Sequence, residues 1–128
     1  EWLIPGDFNA AVDERWRSLT DEDELVAPAL LITECTSVLN RQVHFERIDT
    51  TLGRQQVERL VRIPIRIVHH GALHLRAFDI ARSLGWKKAY DALYLATAEY
   101  ERAELLTLDG GMHGAAERLG IRVSLIGD

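Results

Sequence analysis

A chain of 128 residues with 47% hydrophobic content is long enough for one compact domain with its own core, and we treat residues 1–128 as one domain. The formal net charge of −5 argues against a module that binds nucleic acid passively through its phosphates, but it is compatible with an enzyme whose carboxylates bind divalent cations. The single cysteine, Cys35, excludes an internal disulfide framework and favours a reducing cytoplasm. No apolar run reaches the roughly 20 residues that are needed to span a bilayer, and no secretory leader opens the chain.

Hydrophobic spacing in the first half of the chain predicts three helices and one short strand. The helices cover residues 7–19, 28–45 and 51–60, and the strand covers residues 25–27. Pro28 suits the first turn of the second helix, because the N–H that proline lacks is not needed there. Helix and strand therefore already alternate in this half of the chain.

The second half continues the alternation. In order, the pattern predicts a strand over 63–68, helices over 73–84 and 89–101, a strand over 104–108, a short helix over 112–119 and a final strand over 121–126. Gly85 and Gly120 are expected to end the helices that precede them. Strands that alternate with helices predict an α/β domain with a parallel sheet.

Glu34 is the first acid that the pattern singles out. It lies within the apolar stripe of the helix over 28–45, beside Leu31, Cys35 and Val38. Burying a carboxylate among apolar side chains is costly unless something pairs with it. The plainer explanation, which the helix alone favours, is a position at the rim of the stripe where Glu34 reaches water or an arginine.

Two aspartates come at the ends of predicted elements. Asp91 starts the helix over 89–101, where an acid also stabilises the helix dipole, typically by about 1 kcal/mol. Asp109 follows the strand over 104–108 directly, and Asp-Gly is also a common turn pair. Because ligands bind at the carboxyl ends of parallel strands, Asp109 lies where chemistry is expected.

Glu34, Asp91 and Asp109 are each ordinary alone, and only their arrangement favours a shared site. Carboxylate oxygens are the preferred ligands of Mg²⁺ and Mn²⁺. Carboxylates that lie close together repel one another unless a cation neutralises them. If the strand ends converge, the three acids predict a metal site.

Four segments resemble the PIN-domain family, and specifically its VapC-like toxins. Residues 89–98 resemble the helix that carries the family's third acid, and residues 105–109 resemble its strand ending in Thr-x-Asp. Residues 27–34 resemble the segment with the second acid, and residues 2–5 (Trp-Leu-Ile-Pro) match the run that follows the first strand. The resemblance implies a three-layer α/β/α fold with a central parallel sheet.

The start of the chain departs from the family pattern. The family's first acid ends an opening strand just before the Trp-Leu-x-Pro run, whereas this sequence begins at Glu1. Neither Asp7 nor Asp13 follows a predicted strand, so neither is taken as a replacement. We expect the strand and its aspartate to precede Glu1 in the natural protein. A truncated or disabled domain is the other explanation.

The resemblance implies an activity and a cofactor. The activity is metal-dependent hydrolysis of RNA phosphodiester bonds by an endoribonuclease that is the toxin of a type II toxin–antitoxin pair. Glu34, Asp91 and Asp109 would be the catalytic acids and would hold Mg²⁺ or Mn²⁺, Asp109 through a shared water. Thr107 would orient the ligands and water around the metal through its hydroxyl, although it is equally explained as an ordinary strand residue.

The resemblance also implies partners: an RNA substrate, a small antitoxin that blocks the acidic pocket, and a second copy in a homodimer. Trp2, Trp16 and Phe45 are candidates for either protein interface, or equally for the core. The alternative from another class is a PIN-like module that binds a protein partner with little or no nuclease activity. The missing first acid is the feature that supports this alternative.

Two other groups of side chains are weaker candidates. His70 and His74 have the i, i+4 spacing of a shared metal, but no glutamate follows His70 as in a zinc protease, so structural histidines are favoured. Several arginines could contact RNA, yet a solvated helix face explains them more simply. These arginines are Arg41, Arg47, Arg54, Arg59 and Arg62.

Overall fold

The computed structural model describes residues 23–107 and 109–125. The predicted helix over 7–19 and the Trp-Leu-Ile-Pro run of residues 2–5 lie outside the described residues. The chain divides into two compact units: unit 1 is residues 1–67 and unit 2 is residues 68–128.

Unit 1 contains two helices, α1 (Leu30–His44) and α2 (Thr50–Leu60), and the strands β1 (Leu25–Pro28) and β2 (Ile65–Val68), whose last residue already belongs to unit 2. The strands pair in a two-stranded sheet. Helix α1 packs against both α2 and β1, so it is the central element of the unit.

Three local features determine where the elements of unit 1 begin and end and how closely its helices pack. The prediction for Pro28 is wrong, because Pro28 is the last residue of β1 and α1 begins only at Leu30. The strand extends to Pro28 because β1 pairs with β2, a partner that the local sequence does not reveal. Helix α2 begins where Asp49 caps it, with Oδ1 accepting from the amide of Leu52 at 2.7 Å. Gly53 lets α2 approach α1 closely, since a Cβ there would lie 2.5 Å from a methyl carbon of Val43.

Unit 2 contains the remaining elements, which are α3 (Gly71–Leu84), α4 (Tyr90–Glu101), β3 (Leu105–Thr107), α5 (Gly110–Arg118) and β4 (Val123–Leu125). Strands β3 and β4 are parallel, with Leu105 opposite Val123 and Thr107 opposite Leu125. Helix α5 joins them and packs on both, which makes a β–α–β unit.

The core of unit 2 lies where α3 meets α4. Alanines on both helices permit a close approach, and Ile80 and Leu95 fill the space between them with side chains that are fully buried. Thr97 is also buried, and its hydroxyl donates to the carbonyl of Leu93 at 2.7 Å, so no polar atom is stranded. Helix α4 is therefore held rigidly, which matters for the acid at its start.

Four helices end in the same way, with one residue in the left-handed region. Gly85 and Gly120 take this position as predicted, at φ 70° and 72°. Glu46 and Arg102 take it at the ends of α1 and α4, at φ 58° and 53°, where a side chain is strained. In each case the next amide donates to the carbonyl five positions earlier at 2.9–3.0 Å. These bonds satisfy carbonyls in the last turn of each helix within the chain.

The observed architecture confirms the predicted fold class, a mixed α/β fold with parallel strands. The predicted helices and strands after residue 23 are all present, within a few residues of their expected bounds. The assignment of residues 1–128 to a single domain stays a prediction. No helix in the described part of the chain is long and apolar enough to cross a membrane.

Candidate active site

Glu34 lies on the exposed side of α1. Its position agrees with the plainer of the two explanations, a place outside the buried stripe, because Leu39 is the buried residue of α1, whereas Glu34 and Val38 face outward. Successive residues of a helix point about 100° apart, so a stripe misjudged by one position exchanges a buried residue for an exposed one. An exposed carboxylate here can reach a cation or a substrate.

The charge of Glu34 affects the pKa of the neighbouring residue, Cys35. Burial raises the pKa of the half-buried Cys35 thiol, and the Glu34 carboxylate raises it further. A thiol with a raised pKa is a poor nucleophile near neutral pH. Cys35 is therefore a packing residue of α1, and the chemistry available on this helix belongs to Glu34.

Asp91 is exposed in the first turn of α4. Ala89, the N-cap of this helix, offers no side-chain hydrogen bond, so Asp91 is the acid that complements the positive end of the helix dipole. The buried residues that follow, Ala92 and Leu95, anchor the turn in the core of unit 2. Asp91 thus combines an exposed carboxylate with a rigid base.

Asp109 is exposed and is the N-cap of α5. Its Oδ1 accepts from the amides of Gly111 at 2.7 Å and Met112 at 3.4 Å, whereas Oδ2 accepts no hydrogen bond from the described residues. The hydroxyl oxygen of Thr107 accepts from the Asp109 amide at 3.0 Å. Thr107 therefore positions the backbone of Asp109, and one carboxylate oxygen of Asp109 remains available for a ligand.

The lengths of α4 and β3 lead us to expect Asp91 and Asp109 at the same end of unit 2. Helix α4 packs on β3, and only residues 102–104 join the two, so the chain reverses between them. Asp91 lies about 15 Å before the end of α4 at 1.5 Å per residue. Asp109 lies about 13 Å beyond the start of β3 at 3.3 Å per residue. Nearly equal lengths, counted from the same reversal, lead us to expect both carboxylates near the carboxyl end of β3.

The donor chemistry of these acids fits a hard divalent cation, which prefers carboxylate oxygens and keeps several waters. Within each unit, counting only residues 23–107 and 109–125, no three His, Cys, Asp or Glu side chains converge as a complete ligand set. Asp91 and Asp109 are therefore two candidate ligands of unit 2, and Glu34 is a candidate of unit 1.

The histidines do not form the pair that their spacing suggests. His70 precedes α3 as its N-cap and lies against Tyr100, with ring centroids 4.9 Å apart, while the ring of His74 meets His69 edge-on at 6.4 Å. His113 pairs instead with Glu117 at 3.1 Å. Contacts with neighbouring rings and, for His113, with a carboxylate account for these side chains, as expected for structural histidines.

A positioning pair was missed at the level of sequence. Arg76 of α3 donates from Nε and Nη2 to both oxygens of Glu99 of α4, at 2.7 and 3.0 Å. The arginine holds the pKa of Glu99 below its usual value. The two residues are 23 positions apart, so only the packing of α3 on α4 could reveal them. The pair fixes the helix that carries Asp91.

The model of the PIN domain family matches residues 2–118. This chain belongs to the PIN-domain family. PIN domains are typically nucleases, they act on nucleic acid, and the family generally uses divalent metal ions. The match includes all three candidate acids. Among the curated proteins compared, none matches this PIN domain.

Proposed function

We propose that this PIN domain is a Mg²⁺- or Mn²⁺-dependent endoribonuclease and the toxin of a type II toxin–antitoxin pair. The family match over residues 2–118 supports the nuclease class. The choice of residues is supported by the lengths of α4 and β3, which lead us to expect Asp91 and Asp109 near the carboxyl end of β3, where α/β proteins bind their ligands. Glu34 is the third proposed acid.

The residues have distinct parts in this proposal. Asp91 and Asp109 would hold the cation from a rigid helix start and from a capped strand end, and Glu34 would contribute a further carboxylate. Thr107 keeps Asp109 in place through the hydrogen bond to its amide. A divalent cation bound there would lower the pKa of its water and stabilise the charge that builds on the phosphate. The acids also offer acceptors for the proton of an attacking water.

The proposed protein partners are a small antitoxin and a second copy of the chain, and they rest on the resemblance to VapC-like toxins. A toxin of this kind would be inhibited when the antitoxin covers Asp91 and Asp109. Inhibition of cleavage by the protein encoded next to this gene would support the pairing. Cleavage that proceeds unchanged in the presence of that protein would contradict it.

The decisive experiment measures RNA cleavage by the full-length protein with Mg²⁺ or Mn²⁺ and with EDTA. We expect cleavage that requires the metal and falls by about 100-fold or more in the Asp91→Asn protein, the loss typical when a group acting directly on the reacting atoms is removed. The matched control is Asp79→Asn, which removes an exposed aspartate from α3 instead. It should cleave like the wild type.

Three outcomes would contradict the proposal. Cleavage that persists in EDTA would remove the metal, and unchanged cleavage by the Asp91→Asn protein would remove the site. Absence of cleavage in a wild-type protein whose circular dichroism shows a folded chain would move the assignment to a PIN-like module that binds a protein partner.

A further inference from the structure

The end of α1 carries a large aromatic side chain that is exposed to solvent instead of buried in the core. Phe45 is 57% exposed, although a buried phenylalanine would contribute about 2 kcal/mol or more to stability. The guanidinium of Arg47 lies over the ring, 5.6 Å from its centroid, and the ring of His44 meets it edge-on at 4.9 Å. These three residues, with Arg41 one turn earlier, are called the α1 platform below.

The charge around the α1 platform is opposite to that of the chain as a whole. Residues 40–66 contain six arginines against three acids, whereas the complete chain has a formal charge of −5. Neither Arg41 nor Arg47 forms an ion pair with a described residue, while Arg54 and Arg66 are paired with glutamates. Of the four arginines in this segment that form no ion pair with a described residue, Arg41 and Arg47 are the two nearest Phe45 in the sequence.

The end of a helix would ordinarily repel phosphate, because its last carbonyls point outward. Here three of the last four, those of Arg41, Gln42 and Val43, already accept hydrogen bonds. The amide of Arg47 donates to Gln42 at 2.9 Å, and the amide of Glu46 donates to Val43 at 3.0 Å. Glu46 is the one acid between Phe45 and Arg47, and it adopts the left-handed conformation that closes this turn. The capped turn weakens this repulsion, and Arg41 and Arg47 outnumber the single carboxylate of Glu46 beside Phe45.

The α1 platform also lines up with Glu34. Residues 7 and 11 positions after Glu34 return to within about 20° of its direction at 100° per residue, and these are Arg41 and Phe45. Glu34, Arg41 and Phe45 are all exposed, so they form one line on the open side of α1. At 1.5 Å per residue, Phe45 lies about 16 Å from Glu34, a separation that a few nucleotides can span.

We infer that the α1 platform binds single-stranded RNA and leads the strand along α1 toward Glu34. A base stacks on the ring of Phe45, which every base can do because every base has a π-face. Arg41 and Arg47 contact the flanking phosphates, and the Arg47 guanidinium is itself a stacking surface. The direction of the strand rests on the proposed nuclease function, whereas the binding of RNA by the α1 platform does not.

The test measures binding of a short fluorescein-labelled single-stranded RNA to the full-length protein in EDTA, where cleavage is stopped. Phe45→Ala should weaken binding about 5- to 150-fold, the range for loss of one base stacked on an aromatic ring, and Phe45→Trp should preserve it. Arg47→Gln should weaken binding and lower the slope of log affinity against log salt by about 0.7, the value for one phosphate contact.

The matched control is Phe78→Ala, which removes a phenylalanine that is 61% exposed on α3 of unit 2. It should bind RNA like the wild type. Unchanged RNA binding by the Phe45→Ala protein would overturn the inference. A Phe45→Ala protein that keeps its RNA affinity but loses a dimer, measured by light scattering, would also overturn it and assign Phe45 to an interface between copies.

Failure of the nuclease proposal gives a different result. RNA binding that depends on Phe45, in a wild-type protein that cleaves nothing with Mg²⁺ or Mn²⁺, would retain the α1 platform and remove the enzyme. Cleavage that requires Asp91, with binding insensitive to Phe45, would retain the enzyme and remove the platform.

Discussion

Asp109 offers a prediction that separates its structural part from its chemical part. Its carboxylate caps α5 through Oδ1, and it is also a proposed metal ligand. Asparagine keeps an oxygen acceptor at the N-cap but loses the negative charge, whereas alanine loses both. The two substitutions therefore differ in stability but not in their effect on the proposed chemistry.

The magnitudes follow from the cap. Removing an N-cap acceptor costs about 1 kcal/mol, and the charge at a helix N-terminus adds about 0.3 kcal/mol at an exposed position such as this one. We expect Asp109→Ala to lower the free energy of unfolding by about 1.3 kcal/mol, and Asp109→Asn by about 0.3 kcal/mol. Helix α5 packs on both β3 and β4, so the loss should appear in global unfolding.

The assay combines urea unfolding, followed by circular dichroism, with cleavage of RNA under saturating Mn²⁺. Both variants should lose cleavage by about 100-fold or more. The matched control is Asp49, which caps α2 through the amide of Leu52 at 2.7 Å and has no part in the proposed site. Asp49→Ala and Asp49→Asn should show the same ratio of stability losses and should leave cleavage unchanged.

Two results would refute this reasoning. If Asp109→Asn is destabilised as much as Asp109→Ala, the acceptor Oδ1 does not cap α5 as the structure shows. If Asp109→Asn cleaves RNA at the wild-type rate, Asp109 is a helix cap alone and the proposed site loses one of its two acids at the end of β3.

Three further predictions concern stability and are checked by urea unfolding. Gly53→Ala should lower the free energy of unfolding by about 1 kcal/mol, because the clash with Val43 outweighs the gain in helix propensity. In a Val43→Ala background the same substitution should raise the free energy of unfolding, and a rise in the wild-type background would contradict the close approach of the helices. Glu46→Gly should stabilise by about 0.5 kcal/mol by relieving the left-handed strain, and a loss would show that the side chain itself contributes. Because Arg76 lowers the pKa of Glu99, their pair stabilises the fold above the usual glutamate pKa and ceases to do so as the pH falls through the lowered one. Glu99→Gln should cost about 0.5 kcal/mol at neutral pH, a value limited by solvent screening, and nothing once the carboxyl is protonated; an equal cost at acid pH would contradict the ionic origin.

Sequence alone was enough for the features that depend on neighbouring residues. Periodicity gave the helices, and Gly85 and Gly120 were predicted as helix ends because glycine adopts the left-handed conformation without strain. The segment that ends at Asp109 and the helix that begins near Asp91 could be located before any packing was known. Each of these depends on a few consecutive residues and on the intrinsic preferences of the backbone.

The tertiary structure decided what depends on distant partners or on the phase of a helix. Pairing with β2 placed Pro28 in a strand, and the packing of α1 turned Glu34 outward, because a rotation of about 100° per residue separates a buried position from an exposed one. The closed turn at Glu46 set Arg47 over an exposed Phe45, a contact that no propensity predicts. Local preferences specify elements, whereas the position of a side chain in space is selected by everything that packs against its element.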